Sequence, residues 1–176
     1  MNLTLKRTPG IYLVGFMACG KTTIGTLLAE RLGWKFVDMD QDIEARQGDS
    51  IAAIFEKSGE QEFRRIETET IRARVRDIER GEATVVAMGG GAFVQPVNLD
   101  LLSKRGISIW LDCPFETVQH RVARAVHRPL ARDPKSFAAL YATRRDHYSL
   151  ADVHIPIASD DPEVTVAAIL AHPQFK

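Results

Sequence analysis

The sequence predicts an α/β fold in which helices cover both faces of a parallel sheet, a three-layer α/β/α arrangement. Short runs of β-branched and aromatic residues alternate along the chain with longer segments of helical character. The first four runs are mostly apolar and do not alternate with polar residues, as expected of strands buried on both faces. The predicted strands are residues 11–14, 35–39, 84–88, 107–111 and 152–157.

Helical segments connect these strands. In the longest of them, Ile66, Ile71 and Val75 recur at near-helical spacing, which is typical of a helix face that packs on a core. We expect this segment to be broken near Gly59. The predicted helices are residues 20–32, 50–80, 97–104, 115–124, 135–148 and 163–171.

The composition is that of an ordinary globular protein. A chain of 176 residues is long enough for one compact domain, which we expect to span residues 1–176. Hydrophobic residues make up 45% and charged residues 26% of the chain, which argues against a disordered or disulfide-scaffold protein. Because 23 Lys and Arg balance 23 Asp and Glu, no net field draws the molecule to nucleic acid or to an anionic membrane.

The sequence shows no sign of export or of membrane insertion. The longest apolar runs fall far short of the roughly 18 residues that a membrane helix needs, and the N-terminal segment lacks a signal-peptide apolar stretch. The two cysteines, Cys19 and Cys113, form neither a metal-ligand spacing nor a disulfide framework, which suits a reducing compartment. We therefore expect a cytoplasmic protein that binds neither nucleic acid nor membrane, and, since no interface is legible, a monomer.

A nucleotide-binding motif follows the first predicted strand. Residues 15–22, GFMACGKT, fit G-x-x-x-x-G-K-[ST] and lead into a predicted helix; we call them the phosphate loop. Backbone N–H groups and the helix N-terminus cradle phosphates in such a loop, Lys21 reaches the outer phosphates, and the Thr22 hydroxyl can bind Mg²⁺. A glycine-rich turn that fits by chance is the alternative. The candidate nucleotide-binding residues here are Gly15, Ala18, Cys19, Gly20, Lys21, Thr22 and Thr23.

Two acids stand at the end of the second predicted strand. On an extended backbone, Asp38 and Asp40 point the same way, towards the sheet edge where α/β proteins bind ligands. We assign Asp38 to the metal and Asp40 to a substrate hydroxyl, where it can orient the nucleophile or accept its proton. The alternative is a solvated, helix-capping group of acids that continues into Asp42 and Glu44, and we prefer that interpretation for the last two.

A basic segment lies between Arg121 and Arg145. It holds seven Lys or Arg residues and one acid, Asp133. Because aromatic residues are few, a cover that brings an arginine onto a transferring phosphoryl group fits better than a nucleic-acid surface. The alternative is a solvated helix face, which we expect for Arg124, Arg132, Lys135 and Arg145.

Three consecutive glycines follow the third predicted strand. Gly89, Gly90 and Gly91, which we call the glycine turn, indicate that another group approaches this backbone closely, and we expect a contact with substrate. A tight turn into the next helix is the alternative. Arg64 and Arg144 can each grip a carboxylate through a bidentate fork, although each, taken singly, is more often a surface arginine.

These pieces together resemble shikimate kinase. The resemblance rests on GFMACGKTTIG, FVDMDQDIE, GEQEFRRIE, MGGGAF and HRPLA, which occur in this order across nearly the whole chain. It implies that Asp38 lies near Mg²⁺, that Asp40 contacts the shikimate hydroxyls, and that Arg121 lies by the adenine. It further implies shikimate contacts for Arg64, Gly89, Gly90, Gly91 and Arg144, the last of which precedes Tyr148 by four residues, and a lid arginine at Arg128.

The resemblance also implies a particular fold. This is a P-loop NTPase of the nucleoside-monophosphate-kinase type, with a five-stranded parallel sheet in the order 2-3-1-4-5 and a mobile lid at about residues 121–134. Two positions depart from the family pattern. Ala18 stands where the family usually has a third glycine in the phosphate loop, and Ala131 where a leucine usually follows R-P-L.

The implied activity is ATP-dependent phosphorylation of the 3-hydroxyl of shikimate, which gives shikimate 3-phosphate and ADP in the chorismate route to aromatic amino acids. Lys21, Asp40 and Arg128 are its expected catalytic residues, with Mg²⁺ held by Thr22 and Asp38. Two alternatives stay open. One is another small-molecule kinase, such as a gluconate or nucleoside-monophosphate kinase; the other is a non-catalytic nucleotide-binding regulatory module.

Overall fold

The computed structural model describes residues 10–124 and 133–175 and has a five-stranded sheet at its centre. The strand order is β2-β3-β1-β4-β5, and every neighbouring pair is parallel. Both the five predicted strands and the implied order are therefore confirmed, whereas the domain bounds of 1–176 with a lid at 121–134 stay a prediction. The strands are β1 (Gly10–Val14), β2 (Lys35–Asp38), β3 (Thr84–Ala87), β4 (Ile107–Asp112) and β5 (Val153–Pro156).

The helices confirm the predicted segments to within a residue or two. They are α1 (Lys21–Leu32), α2 (Met39–Gln47), α3 (Ile51–Glu79), α4 (Pro96–Leu102), α5 (Phe115–Ala123), α6 (Pro134–Tyr148) and α7 (Pro162–Ala171), with short 3₁₀ helices at Ala92–Val94 and Pro173–Phe175. The expected break in α3 is real, since Gly59 has φ 78° and ψ 174°, a left-handed backbone that favours glycine.

Helix α2 has no counterpart among the predicted helices. It buries only Met39 and Ile43, so its sequence lacks the apolar periodicity by which a helix is recognised. The helix is instead stabilised by caps at its two ends. The Asp38 carboxylate accepts from two N–H groups of the first turn, and Gly48 closes the last turn in a left-handed conformation with φ 70°.

The registers of the strands bring their carboxyl ends to one edge of the sheet. Ala87 of β3 lies opposite Leu13 of β1 on one side and opposite Asp38 of β2 on the other. Val14 of β1 lies opposite Trp110 of β4. As a result the phosphate loop, the acids that follow β2 and the glycine turn all leave the sheet at the same edge.

Helices cover both faces of this sheet. Every residue of β1 and β3 is buried, so side chains that point to opposite faces are all shielded from water. Across the part of the chain that the structure describes, no helix combines the length and the hydrophobicity needed to cross a bilayer.

The phosphate loop contains a strained backbone position. Among the described residues other than glycine, Ala18 alone has a positive φ, of 60°. A left-handed backbone costs an L-residue about 1–2 kcal/mol because Cβ crowds the carbonyl oxygen. The alanine that departs from the family pattern thus adopts the conformation that a glycine would take without strain.

Replacing Ala18 with glycine is expected to raise the free energy of unfolding by up to about 1 kcal/mol, since relief of strain exceeds the added entropy of the unfolded chain. The melting temperature should rise by about 2–4 °C. The control is Ala52→Gly, at an exposed position with helical backbone in α3, which should lower stability by about 1 kcal/mol. Equal losses in the two variants would contradict the strain argument.

Candidate active site

A cleft of about 540 Å³ opens at the carboxyl edge of the sheet. The phosphate loop, the ends of β2 and β3 and the start of α7 form its walls. The predicted site residues that line it are Ala18, Cys19, Gly20, Lys21, Thr22, Thr23, Asp38, Asp40, Gly89, Gly90 and Arg121. Within the described part of the chain, the predicted site residues that do not line the cleft are Gly15, Gly91, Arg64 and Arg144. The Gly15 backbone instead packs on β4, where a Cβ atom would lie 2.7 Å from the Leu111 carbonyl oxygen.

The phosphate loop is organised around its lysine. The Lys21 ammonium donates to the carbonyl oxygens of Gly15, at 2.8 Å, and Phe16, at 2.9 Å, so the side chain curls back over the loop. Helix α1 follows with Gly20 as its N-cap, and no side chain caps it. Its first N–H groups therefore remain available to an anion, next to a fixed positive charge.

Thr22 and Asp38 meet at the side of the loop. The Thr22 hydroxyl donates to Asp38 Oδ2 at 2.7 Å, while Asp38 Oδ1 accepts from the N–H groups of Asp40, at 3.0 Å, and Gln41, at 3.3 Å. One carboxylate thus caps α2 and faces the threonine. The capping interpretation is confirmed for Asp38, and its assignment to the metal stays a prediction. The predicted extended backbone from Asp38 to Asp40 is wrong, because β2 ends at Asp38 and Asp40 lies in the first turn of α2.

Thr22 and Asp38 together offer the donors that Mg²⁺ prefers, a hydroxyl and a carboxylate oxygen. Across residues 10–124 and 133–175, no three His, Cys, Asp or Glu side chains are grouped to hold a metal by themselves. Mg²⁺ is commonly held by one or two protein oxygens together with substrate phosphates, and a site next to a phosphate loop fits that coordination pattern.

Asp40 opens onto the cleft but is surrounded by protein charges. Burial raises the pKa of its carboxyl above the ordinary value, and the neighbouring Asp38 raises it further. Lys21 and Arg64 act in the opposite direction. The carboxylate is thereby a better proton acceptor than an exposed aspartate, which is the property that a group facing a substrate hydroxyl needs.

The backbone of the glycine turn is approached by three predicted site residues, one for each glycine. A Cβ atom on Gly89 would lie 2.9 Å from Asp40 Oδ1, and one on Gly90 would lie 3.2 Å from Arg144 Nη1. A Cβ atom on Gly91 would lie 2.5 Å from Arg64 Nη2. The expected close approach is therefore real. The expected contact of these glycines with a substrate stays a prediction.

Arg64 is held by an acid that the sequence analysis does not single out. Glu67, one turn further along α3 and 1% exposed, accepts from Arg64 Nη1 at 2.7 Å. Burial raises the pKa of Glu67, and the Arg64 charge opposes that rise. The sequence signal for Glu67 was its four-residue spacing from Phe63 and from Ile71, which puts it on the apolar face of α3. Arg64 Nε is itself buried and has no hydrogen-bond partner among the described residues.

Arg144 reaches the turn from α6. Its guanidinium lies over the ring of Phe16 in the phosphate loop, with Cζ 5.8 Å from the ring centroid. One turn further along, the buried Tyr148 hydroxyl donates to the Gly90 carbonyl oxygen at 2.5 Å. Burial raises the pKa of this phenol, so it stays a donor over the physiological range. Helix α6 is thus fastened to the glycine turn beside its arginine.

Arg145 is not the solvated arginine that we predict. It forms a two-contact ion pair with Asp112 at the end of β4, with Nη2 to Oδ2 at 2.9 Å. Its Cζ also lies 4.8 Å from the centroid of the Trp110 ring. The pair ties α6 to the sheet. Exposed positions for Arg124 and Lys135 do agree with the prediction, and Arg132 lies outside the described residues.

The acids of α2 are also engaged, contrary to the expectation that they are solvated. Arg74 of α3 grips Asp42 with a fork, Nε to Oδ2 at 2.7 Å and Nη2 to Oδ1 at 2.9 Å. Glu44 Oε1 accepts from the Ile51 N–H at 2.9 Å, at the start of α3. Both acids join α2 to α3, which a pattern of charges along one helix could not reveal.

Arg121 lies at the edge of the cleft. Nη1 donates to the Ala18 carbonyl oxygen at 3.0 Å, and Nη2 pairs with Asp160 at 2.7 Å. This places the guanidinium beside the phosphate loop, where the expected contact with adenine stays a prediction. Arg128 and Ala131 lie outside the described residues.

Comparisons with known proteins agree with this geometry. The family model described as shikimate kinase matches residues 17–172. A shikimate kinase of Synechococcus elongatus is 43% identical over 164 residues, which is 91% of this chain and 84% of that protein. A shikimate kinase of Aquifex aeolicus is 37% identical over 161 residues, which is 91% of this chain and 93% of that protein.

Solved structures give the same result. A shikimate kinase of Acinetobacter baumannii in complex with shikimate superimposes with a TM-score of 0.84 at 37% identity, covering 93% of this chain and 91% of that one. A sugar kinase of Janibacter sp. is similar in fold alone, with a TM-score of 0.64 at 19% identity, covering 93% of this chain and 92% of that one. From the family match, the relatives and the site together, the chain belongs to the shikimate kinase family.

Proposed function

We propose that this chain transfers the γ-phosphoryl group of ATP to the 3-hydroxyl of shikimate, giving ADP and shikimate 3-phosphate in the chorismate route to aromatic amino acids. The observation that carries the proposal is the convergence of Asp40, Arg64 and Arg144 on the glycine turn, beside the phosphate loop. Two guanidinium groups suit a carboxylate, and a carboxylate suits hydroxyl groups. A small polyhydroxy acid satisfies both.

In this proposal the nucleotide binds along the phosphate loop. Backbone N–H groups at the start of α1 and the Lys21 ammonium receive the phosphates, and Arg121 borders the adenine. Thr22 and Asp38 would hold Mg²⁺, which when bound neutralises charge on the phosphate oxygens. Their 2.7 Å hydrogen bond supports this assignment, because it holds the hydroxyl and the carboxylate side by side next to the phosphate loop.

The acceptor is oriented by side chains on three elements. Arg64 on α3 and Arg144 on α6 hold the shikimate carboxylate. Asp40 on α2 accepts from the 3-hydroxyl, aims its oxygen in line with the γ-phosphate and takes the proton as the new P–O bond forms. Lys21 stabilises the charge on the transferring group, and Arg128 is assigned the same task from the lid.

Neither alternative function is favoured by a specific observation. A kinase for gluconate or a nucleoside monophosphate does not call for this pair of arginines over a glycine turn, and the likeness to a sugar kinase is one of fold alone. A non-catalytic module needs no substrate side chains, whereas Asp40, Arg64 and Arg144 all converge on the glycine turn.

The proposal extends to the setting in which the enzyme acts. We assign it to the cytoplasm as a monomer. Both cysteines, Cys19 and Cys113, are free and buried, which suits a reducing compartment.

The direct test is ADP release from MgATP by the purified protein with shikimate, gluconate, AMP or no acceptor in parallel. We expect turnover with shikimate alone. Turnover with another acceptor would mean that the pocket has a different substrate. Silence with every acceptor, in protein that still binds ATP, would favour the regulatory module.

Arg64→Lys is expected to raise the KM for shikimate roughly 10- to 100-fold, because the charge remains but the bidentate fork is lost. The KM for ATP should change less than about twofold, since Arg64 belongs to the acceptor side of the site. Arg65→Lys is the matched control, because Arg65 is exposed and pairs only with Glu62 and Glu69. Equal effects of Arg64→Lys on both substrates would contradict the assignment.

We expect kcat/KM for shikimate to fall at low pH, the acid limb of its pH profile, because Asp40 must be ionised to accept a hydrogen bond from the hydroxyl. The charged groups around it are Lys21, Asp38, Glu44, Arg64 and Glu67. Glu44→Gln keeps the oxygen that accepts from Ile51 but removes a charge that raises the Asp40 pKa. The acid limb should therefore move to lower pH by a few tenths of a unit; a limb that stays in place would show that another group titrates.

A further inference from the structure

A chain of buried hydrogen bonds runs from helix α3 to the end of the glycine turn. The Thr68 hydroxyl donates to Asn98 Oδ1 at 2.9 Å, and Asn98 Nδ2 donates to the Ala92 carbonyl oxygen at 2.9 Å. Asn98 is 0% exposed and Thr68 is 8% exposed. Ala92 directly follows Gly91, and its own N–H closes the turn on the Gly89 carbonyl oxygen at 3.0 Å.

This chain of hydrogen bonds joins the segment of α3 that carries Arg64 to the glycine turn that Arg64 faces. Thr68 is next to Glu67, which holds Arg64 on α3, while Ala92 is joined to the turn that Arg64 faces. The Gly91 backbone lies close to the Arg64 guanidinium, because a Cβ atom on Gly91 would lie 2.5 Å from Arg64 Nη2. A small shift of the turn therefore changes the space beside the guanidinium.

Packing alone does not call for an asparagine at this position. A buried amide costs free energy unless both of its functions are paired, and an apolar side chain would fill the same volume. The Asn98 amide accepts from Thr68 on α3 and donates to the Ala92 carbonyl oxygen, so a single side chain joins the helix to the turn. Tyr148 contacts the same turn from α6, where its hydroxyl donates to the Gly90 carbonyl oxygen.

We propose that Thr68 and Asn98 are positioning residues that fix the glycine turn relative to Arg64 and thereby set the affinity for the carboxylate substrate. This inference rests on the proposed function for its substrate but not for its geometry. The phosphate loop is not part of the hydrogen-bond chain, so we expect the loss of these hydrogen bonds to change ATP binding much less than shikimate binding.

The test compares Thr68→Val, which removes the hydroxyl with little change of shape, with Thr68→Ser, which restores it. Thr70→Val is the matched control, because Thr70 lies on the same helix, is 4% exposed and donates only to the Ile66 carbonyl oxygen of its own helix. We expect Thr68→Val to raise the KM for shikimate about tenfold and to leave the KM for ATP within about twofold. Thr68→Ser and Thr70→Val should both stay within about twofold of the wild type for both substrates.

A second measurement does not depend on the substrate. The backbone amide resonances of Gly89, Gly90 and Gly91 in a ¹H–¹⁵N spectrum should shift in Thr68→Val and stay in place in Thr70→Val. Asn98→Ala, which breaks both bonds, should shift them further, and serves as the second variant if Thr68→Val does not fold. Unmoved glycine resonances, or equal KM changes in the two valine variants, would overturn the proposal. Shifted resonances in a protein that does not phosphorylate shikimate would leave the positioning role standing and refute the proposed function.

Discussion

The backbone of Gly89, Gly90 and Gly91 lies so close to charged side chains that one added Cβ atom at any of the three would press against a carboxylate or a guanidinium. Three helices, α2, α3 and α6, supply those side chains, and a side chain on the turn would displace their charged ends. The proposed site therefore forms where a turn without side chains meets three helices. Its shape depends on their spacing more than on any single residue.

Ion pairs that do not touch the proposed substrate maintain this spacing. Arg74 and Asp42 join α3 to α2, and Arg145 and Asp112 join α6 to the end of β4. These pairs are partly buried and two-pronged, so they restrict direction as well as distance. For the geometry of the site, the free energy of each ion pair is less important than its position, because each pair fixes a helix that carries a site residue.

The charges inside the cleft are balanced against one another. Asp40 and Glu67 both have raised pKa values because burial disfavours their ionised forms, while Arg64 stabilises the negative charge on each. A second carboxylate next to Asp40 raises its pKa again. Asp40 thus remains a proton acceptor although Lys21 and Arg64 lie near it. This suits a site that orients a hydroxyl beside a phosphate.

Patterns along the chain were enough to predict the strands, the phosphate loop and the acids and glycines at the sheet edge, because a local motif such as GFMACGKT is recognised between a strand and a helix. Resemblance to a family supplied the strand order. The folded structure was needed to show that Asp40 lies on a helix, that Arg145 and Asp42 are paired, and that Glu67, Thr68 and Asn98 support the glycine turn. Each of these depends on a partner in another turn or element, and a pattern along one segment carries no information about which distant residue will complete a hydrogen bond or an ion pair.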